Sequence, residues 1–199
     1  MTASHPATRL PPFGDDDATI NVVVETSKGS RNKITFDPER GLYELSGVLP
    51  VGASFPYDFG FVPSTLGDDG DPLDVLLLLD EPVFAGCLVS ARLVGVITAD
   101  QQEGDGPAER NDRLLAVAEK SRVHADVRGL ADLGDALLEE IEHFFVSYNE
   151  VKGKRFQPTG RRGARAARTV VEEGAARFAK QHARGSRKRG SAKKGARRR

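Results

Sequence analysis

The 199-residue sequence holds a single cysteine, Cys87. No intramolecular disulfide can form, and zinc sites built on cysteine pairs are excluded. Long apolar runs are missing too. The longest, 75–79 and 114–118, fall far short of the ~20 residues of a membrane-spanning helix. The opening stretch MTASHPATRLPPFGDDD lacks the apolar centre of a secretory signal, so a cytoplasmic protein without membrane contact is the simplest expectation. An excess of charge is missing only in the total. The 29 Lys+Arg balance the 29 Asp+Glu, but residues 160–199 carry 15 basic and 2 acidic side chains while residues 1–159 carry 14 basic and 27 acidic. An acidic body is followed by a basic tail.

The length suits one domain with tails. Residues 1–18 are Pro-rich and then acidic, and are expected to form a mobile lead-in. Residues 19–182 hold the domain. From 183 to 199 the chain is almost entirely Lys, Arg, Gly, Ser and Ala, which cannot bury a core and predicts disorder. Within the domain, INVVVET at 20–26 reads as a strand, followed by a turn and a strand pair at 33–36 and 42–45. Residues 49–66, rich in Pro, Gly and aromatics, predict no regular structure. Three more strands are expected at 73–79, 88–99 and 113–118. Short strands separated by turns predict a small barrel or closed sheet. The period then changes: Leu133, Leu137, Ile141, Phe144, Phe145 and Tyr148 share one helical face, and 164–181 repeats the pattern more weakly. The fold class is therefore mainly β with flanking helices.

The stretch that carries chemistry is GDDGDPLDVLLLL, residues 67–79. Asp68, Asp69, Asp71 and Asp74 crowd into seven residues, where carboxylates repel unless a cation neutralises them. Oxygen donors without His or Cys suit a hard ion, Mg²⁺ or Mn²⁺. A calcium-hand loop counted from Asp69 fails, because Leu73 takes the fifth position and Leu78 the tenth, no Gly stands at the sixth, and Asp80 stands at the twelfth where a glutamate is needed. The rival reading is an acidic surface turn ahead of a buried strand.

DGDPLD at 69–74 resembles the signature of the single-domain, metal-dependent soluble inorganic pyrophosphatases. VVVE ending in Glu25, KGSRNK ending in Lys33, FPYDFGF, ARLVGV and IEHFFVSY ending in Tyr148 occur in that family's order and at similar spacing. The resemblance implies a five-stranded, OB-like closed barrel with two C-terminal helices, Mg²⁺ as cofactor with Mn²⁺ as a substitute, a homo-oligomer, and hydrolysis of pyrophosphate to two phosphates by metal-activated water. It implies that Asp69 and Asp74 hold metal, that Asp71 holds metal or takes the proton, and that Glu25 orients the metal-bound shell. Lys33 and Tyr148 would contact phosphate.

Departures from the family pattern bear on activity. Gly47 falls where an arginine is usual, Phe55 and Phe59 where tyrosines are, Thr35 where a glutamate is, and Asn149 where a lysine is. The family's second acidic pair has no clear match in the longer loop ADQQEGDGPAERNDRL. With Arg113 as the phosphate-binding cation, Asn111 falls on the second aspartate. Asp112 is then expected to substitute, and Asp100 to be the first of the pair, with Glu103 and Asp105 as rivals. Arg31 and Arg110 are candidate replacements for a missing cation. The competing readings are a protein that keeps this fold and binds metal and diphosphate with little turnover, and a protein that meets nucleic acid through its basic tail.

Overall fold

The computed structural model describes residues 7, 9–16 and 18–196, with side chains described as far as Ala183. The chain is mainly β, with two helices. Strand β1 (Ile20–Thr26) is buried on both faces: Ile20, Val22 and Val24 enter one apolar cluster, while Val23 enters another with Phe36 and Phe61. β2 (Asn32–Asp37) and β3 (Leu42–Val48) form a separate antiparallel hairpin. β4 (Asp58–Phe61) pairs antiparallel with β1 and with β5 (Asp74–Leu78). β5 runs parallel to β8 (Arg113–Ala118), β8 pairs antiparallel with the long β6 (Leu88–Glu103), and β6 pairs back to β1. The far half of β6 carries the short β7 (Glu109–Arg110) and β9 (Lys154–Gly163). Helix α1 is Asp135–Glu150 and α2 is Ala164–Ala196.

Period-two alternation sorts the apolar run of β5 onto two faces. Val75 and Leu77 join Leu114 and Ala116 in one cluster, which α2 covers through Ala167 and Val171. Leu76 and Leu78 join Leu115 and Val117 in the other, which α1 covers through Leu138, Ile141 and Phe145. A sheet buried on both sides needs near-continuous Val and Leu, and the sequence has them at these strands.

Two elements differ from expectation. β4 lies within 49–66, where no regular structure is predicted. It is four residues long, too short for alternation to show, and Gly60 is needed where it crosses β1: a Cβ there would sit 2.2 Å from the Val23 carbonyl oxygen. β9 was not expected either. It contains Pro158 and Gly160 and bulges against β6 between Thr98 and Ala99, as an edge strand tolerates. Part of the N-terminal segment expected to be mobile packs on the body, with Phe13 bridging Ile20 and Ala7 buried beside Val23 and Phe36. α2 continues to Ala196, through much of the segment 183–199 assigned to disorder. Side chains from Arg184 onward lie outside the described residues.

Gly60→Ala is expected to destabilise the protein by ~3 kcal/mol, because the clash is with backbone and cannot be relieved by a rotamer change. Urea unfolding measures this, and an unchanged midpoint would contradict the close approach.

Candidate active site

The acidic stretch folds as a turn at the mouth of β5. Gly67 N donates to Asp71 O at 2.6 Å, Asp69 Oδ1 accepts from Asp71 N at 3.1 Å, and Leu73 N donates to Thr65 Oγ1 at 3.1 Å. The parallel register of β5 and β8 sets Val75 opposite Leu114, so Asp74 and Arg113 come side by side. Arg113 Nη1 pairs with Asp74 Oδ2 at 2.8 Å. The same guanidinium donates to Asn111 Oδ1 and stands 5.1 Å from the centres of the Phe145 and Phe156 rings. Its Nε is buried without a hydrogen-bond partner. A buried donor of that kind carries a desolvation penalty until an acceptor arrives.

The β2–β3 hairpin is held against β1 by side chains. Thr26 Oγ1 accepts from Ile34 N and donates to Ile34 O, both at 3.0 Å, and Glu25 Oε1 accepts from Phe36 N at 2.7 Å. Glu25 Oε2 lies 3.5 Å from Lys33 Nζ, which also sits 4.2 Å above the Phe59 ring. The phenyl ring that replaces a tyrosine therefore keeps a cation–π hold on this lysine. Burial pushes the Glu25 carboxyl up, against the opposing pull of Lys33.

Glu25, Lys33, Asp71, Asp74, Arg113 and Tyr148 line one cavity of about 390 Å³. Lys152, Lys154 and Gln101 line it too, and nothing in the sequence reading singled them out. Lys152 donates to the Tyr148 hydroxyl, and burial together with Lys33 and Lys154 lowers its pKa. The Tyr148 hydroxyl is pushed up to about 12, first by burial and then by Asp74. Asn149, one residue from Tyr148, is turned into the helix and donates to Phe145 O at 2.8 Å. Lys152 thus brings a cation to the cavity near the place where Asn149 lacks one. It lies three residues beyond Asn149, past the end of α1 at Glu150.

An adjoining cavity of about 360 Å³ is lined by Asp69, Asp71, Asp74, Gln101, Asn111 and Lys154 among others. Asp100 lines neither cavity. It neighbours Gln101 on β6, and alternation sends the two side chains to opposite faces. Asp112 lines neither as well: its Oδ1 accepts from Ala99 N at 3.2 Å and its Oδ2 pairs with Arg110 at 2.7 Å. Asp112 instead lines a small neighbouring pocket with Asp69, Asp74 and Arg110, and Gln101 and Asn111 line the second cavity beside Glu103 and Glu109. Of the rivals, Glu103 lines the second cavity and pairs with Lys154 at 2.7 Å, whereas Asp105 lines neither. Arg31 is committed to the Leu49 carbonyl and Arg110 to Asp112, so neither replaces a missing cation in these cavities.

Burial raises Asp69, and the charges of Asp71 and Asp74 add to the rise against a hydrogen bond from Asp71 N. Burial and then Asp74 raise Asp71. Among the described residues no three acidic, histidine or cysteine side chains converge as a ready-made metal cage. The donors around the second cavity are all oxygens, the carboxylates of Asp69, Asp71, Asp74, Glu103 and Glu109 and the amides of Gln101 and Asn111. That set suits a hard cation which keeps several waters and meets only one or two carboxylates directly.

A family model described as inorganic pyrophosphatase matches residues 22–179. The inorganic pyrophosphatase of Nostoc sp. is 38% identical over 154 residues, which are 77% of this chain and 88% of that one. That of Thermus thermophilus is 37% identical over 171 residues, 84% of this chain and 95% of its own. The crystal structure of the Thermus thermophilus protein matches with a TM-score of 0.79 at 32% identity, covering 86% of this chain and 98% of that one. The Neisseria gonorrhoeae structure matches at 0.77 with 32% identity and the same coverages.

The raised carboxyls predict a pH dependence in the metal-free protein. A group whose folded pKa exceeds its unfolded value binds more protons when folded, so stability falls as pH rises from the ordinary carboxylate range through the raised values of Glu25, Asp69 and Asp71. Asp71→Asn is expected to flatten this fall. Chemical denaturation at a series of pH values measures it, and stability that rises across the same window would contradict the repulsion.

Proposed function

The chain belongs to the inorganic pyrophosphatase family, metal-dependent hydrolases of pyrophosphate, and from that premise we propose how its own residues divide the work of splitting pyrophosphate into two phosphates. The observation that supports the division is one cavity lined both by Glu25, Asp71 and Asp74 and by Lys33, Arg113, Lys152 and Lys154. Pyrophosphate is a polyanion, and a nucleophile approaching it is repelled unless charge is neutralised. The four cations bind its oxygens, and they stabilise charge on the transferring and leaving phosphates. The buried Nε of Arg113 gains an acceptor when a phosphate oxygen enters. The Tyr148 hydroxyl, held protonated, donates to phosphate.

Asp69, Asp71 and Asp74 would hold a divalent cation, Mg²⁺ with Mn²⁺ as substitute, which when bound would supply charge neutralisation and a more acidic water. Gln101 and Asn111 offer neutral amide oxygens beside these acids, and Asp100 and Asp112 drop out of the proposed ligand set. Asp71 takes the proton of the attacking water, a role that suits a carboxyl whose proton affinity is already raised. Glu25 is a positioning residue, fixing Lys33 and the hairpin through Phe36 N.

The ring of pairings β1–β4–β5–β8–β6–β1 supports the reading of an OB-like closed barrel. We further propose a homo-oligomer, which the exposed Leu42 and Leu45 on the hairpin support. No helix among the described residues is long and apolar enough to cross a membrane, and with one cysteine the chain suits the cytoplasm.

Purified protein is expected to release phosphate from pyrophosphate with Mg²⁺, and Asp71→Asn to abolish the release. No release from the wild type at any Mg²⁺ or Mn²⁺ concentration would defeat the reading. Lys152→Met is expected to reduce kcat/KM for pyrophosphate by about ten- to a hundredfold, the loss of one charge-assisted contact. Steady-state kinetics checks this, and an unchanged kcat/KM removes Lys152 from the site.

A further inference from the structure

A second cavity, of about 170 Å³, shares Lys33, Tyr148 and Lys152 with the pyrophosphate cavity. Away from those three groups its walls are almost wholly apolar. Leu49, Pro50 and Ala53 line it, as do Phe144 of α1 and Val151 just after that helix. Gly47 leaves the wall open: a Cβ built there would meet only Lys33 Cβ, at 3.9 Å, so the space beyond is free. Pyrophosphate itself has no use for such a space. The pocket is continuous with a cluster of cations, so its occupant is an apolar group joined to an anion that those cations hold.

Resting on the hydrolase reading above, we propose that the protein also accepts diphosphate monoesters of small apolar alcohols. The alkyl group enters the pocket, the ester phosphate lies against Lys33 and Lys152, and the terminal phosphate reaches toward Asp71 and Asp74. The water oxygen bonds to the terminal phosphorus, and the bond from that phosphorus to the bridging oxygen breaks. The bridging oxygen leaves on the alkyl monophosphate, the other product is inorganic phosphate, and the water proton passes through Asp71 to solvent. No oxidant or second substrate is needed.

The test measures phosphate release by the full chain with Mg²⁺ from pyrophosphate, methyl diphosphate and isopentyl diphosphate. The KM for the isopentyl ester is expected to be at least about tenfold lower than for the methyl ester, the discrimination supplied by burying about two of its four additional carbons. Gly47→Leu and Ser147→Leu each fill the pocket. Each is expected to erase the difference between the esters and leave pyrophosphate turnover unchanged. Equal KM values for the two esters, with pyrophosphate still cleaved, overturn the inference and leave the hydrolase reading standing. No release from any of the three compounds overturns both. A changed sedimentation coefficient in both variants without any chain-length preference assigns the pocket to a neighbouring copy of the chain, and overturns it as well.

Discussion

The ion pair between Asp74 and Arg113 organises the site. It arises from backbone register: β5 and β8 run parallel and the residues opening each strand stand together. Parallel strands buried on both faces leave little freedom for slippage, because a shift of one residue would exchange the two apolar faces of each strand. The charges at the strand mouths are therefore held as firmly as the core beneath them. Arg113 partly neutralises a cluster that would otherwise be wholly anionic, and its remaining donor capacity faces a space that an anion can enter.

Around that pair acids and cations line one cavity and come from different elements. Acids come from the turn before β5, and cations come from β2, from β8 and from the segment joining α1 to β9. Neither set alone could serve a phosphate hydrolase. Acids without cations would repel the substrate, and cations without acids would hold it with nothing to take a proton or bind a hard ion. The hairpin β2–β3 contributes through two side-chain anchors, Thr26 and Glu25, so a buried carboxylate serves the site by fixing where Lys33 stands.

The departures from the family pattern are partly absorbed by neighbours. Lys33 rests on the Phe59 ring where a hydroxyl is missing, and Lys152 supplies a cation near the buried Asn149. Other departures change the character of the site. Gln101 and Asn111 face the adjoining cavity together with Glu103 and Glu109, so its oxygens come from other residues than the expected acidic pair. Gly47 leaves an apolar space open beside Lys33 and Lys152, the space proposed above for the alkyl group of a diphosphate ester.

Much of this was legible before any coordinates. β1 and β8 lie at the predicted residues 20–26 and 113–118, because continuous β-branched and leucine runs have few other ways to be buried. The helical face from Leu133 to Tyr148 and the start of α2 at Ala164 follow from period alone. The cluster Asp69, Asp71 and Asp74 is dense enough to declare itself, since four carboxylates in seven residues need an explanation. What sequence could not decide is which of two adjacent residues faces the cavity. Asp100 and Gln101 differ by one position, as do Asn111 and Asp112, and only strand register says which side chain turns inward. Lys152 lies just past α1, four residues after Tyr148, and Lys154 reaches the site because β9 returns along β6. Composition and local period determined the elements and the chemistry they carry. The tertiary pairing of distant strands decided which oxygens and which cations share one space, because that depends on registers set across the sheet and not along the chain.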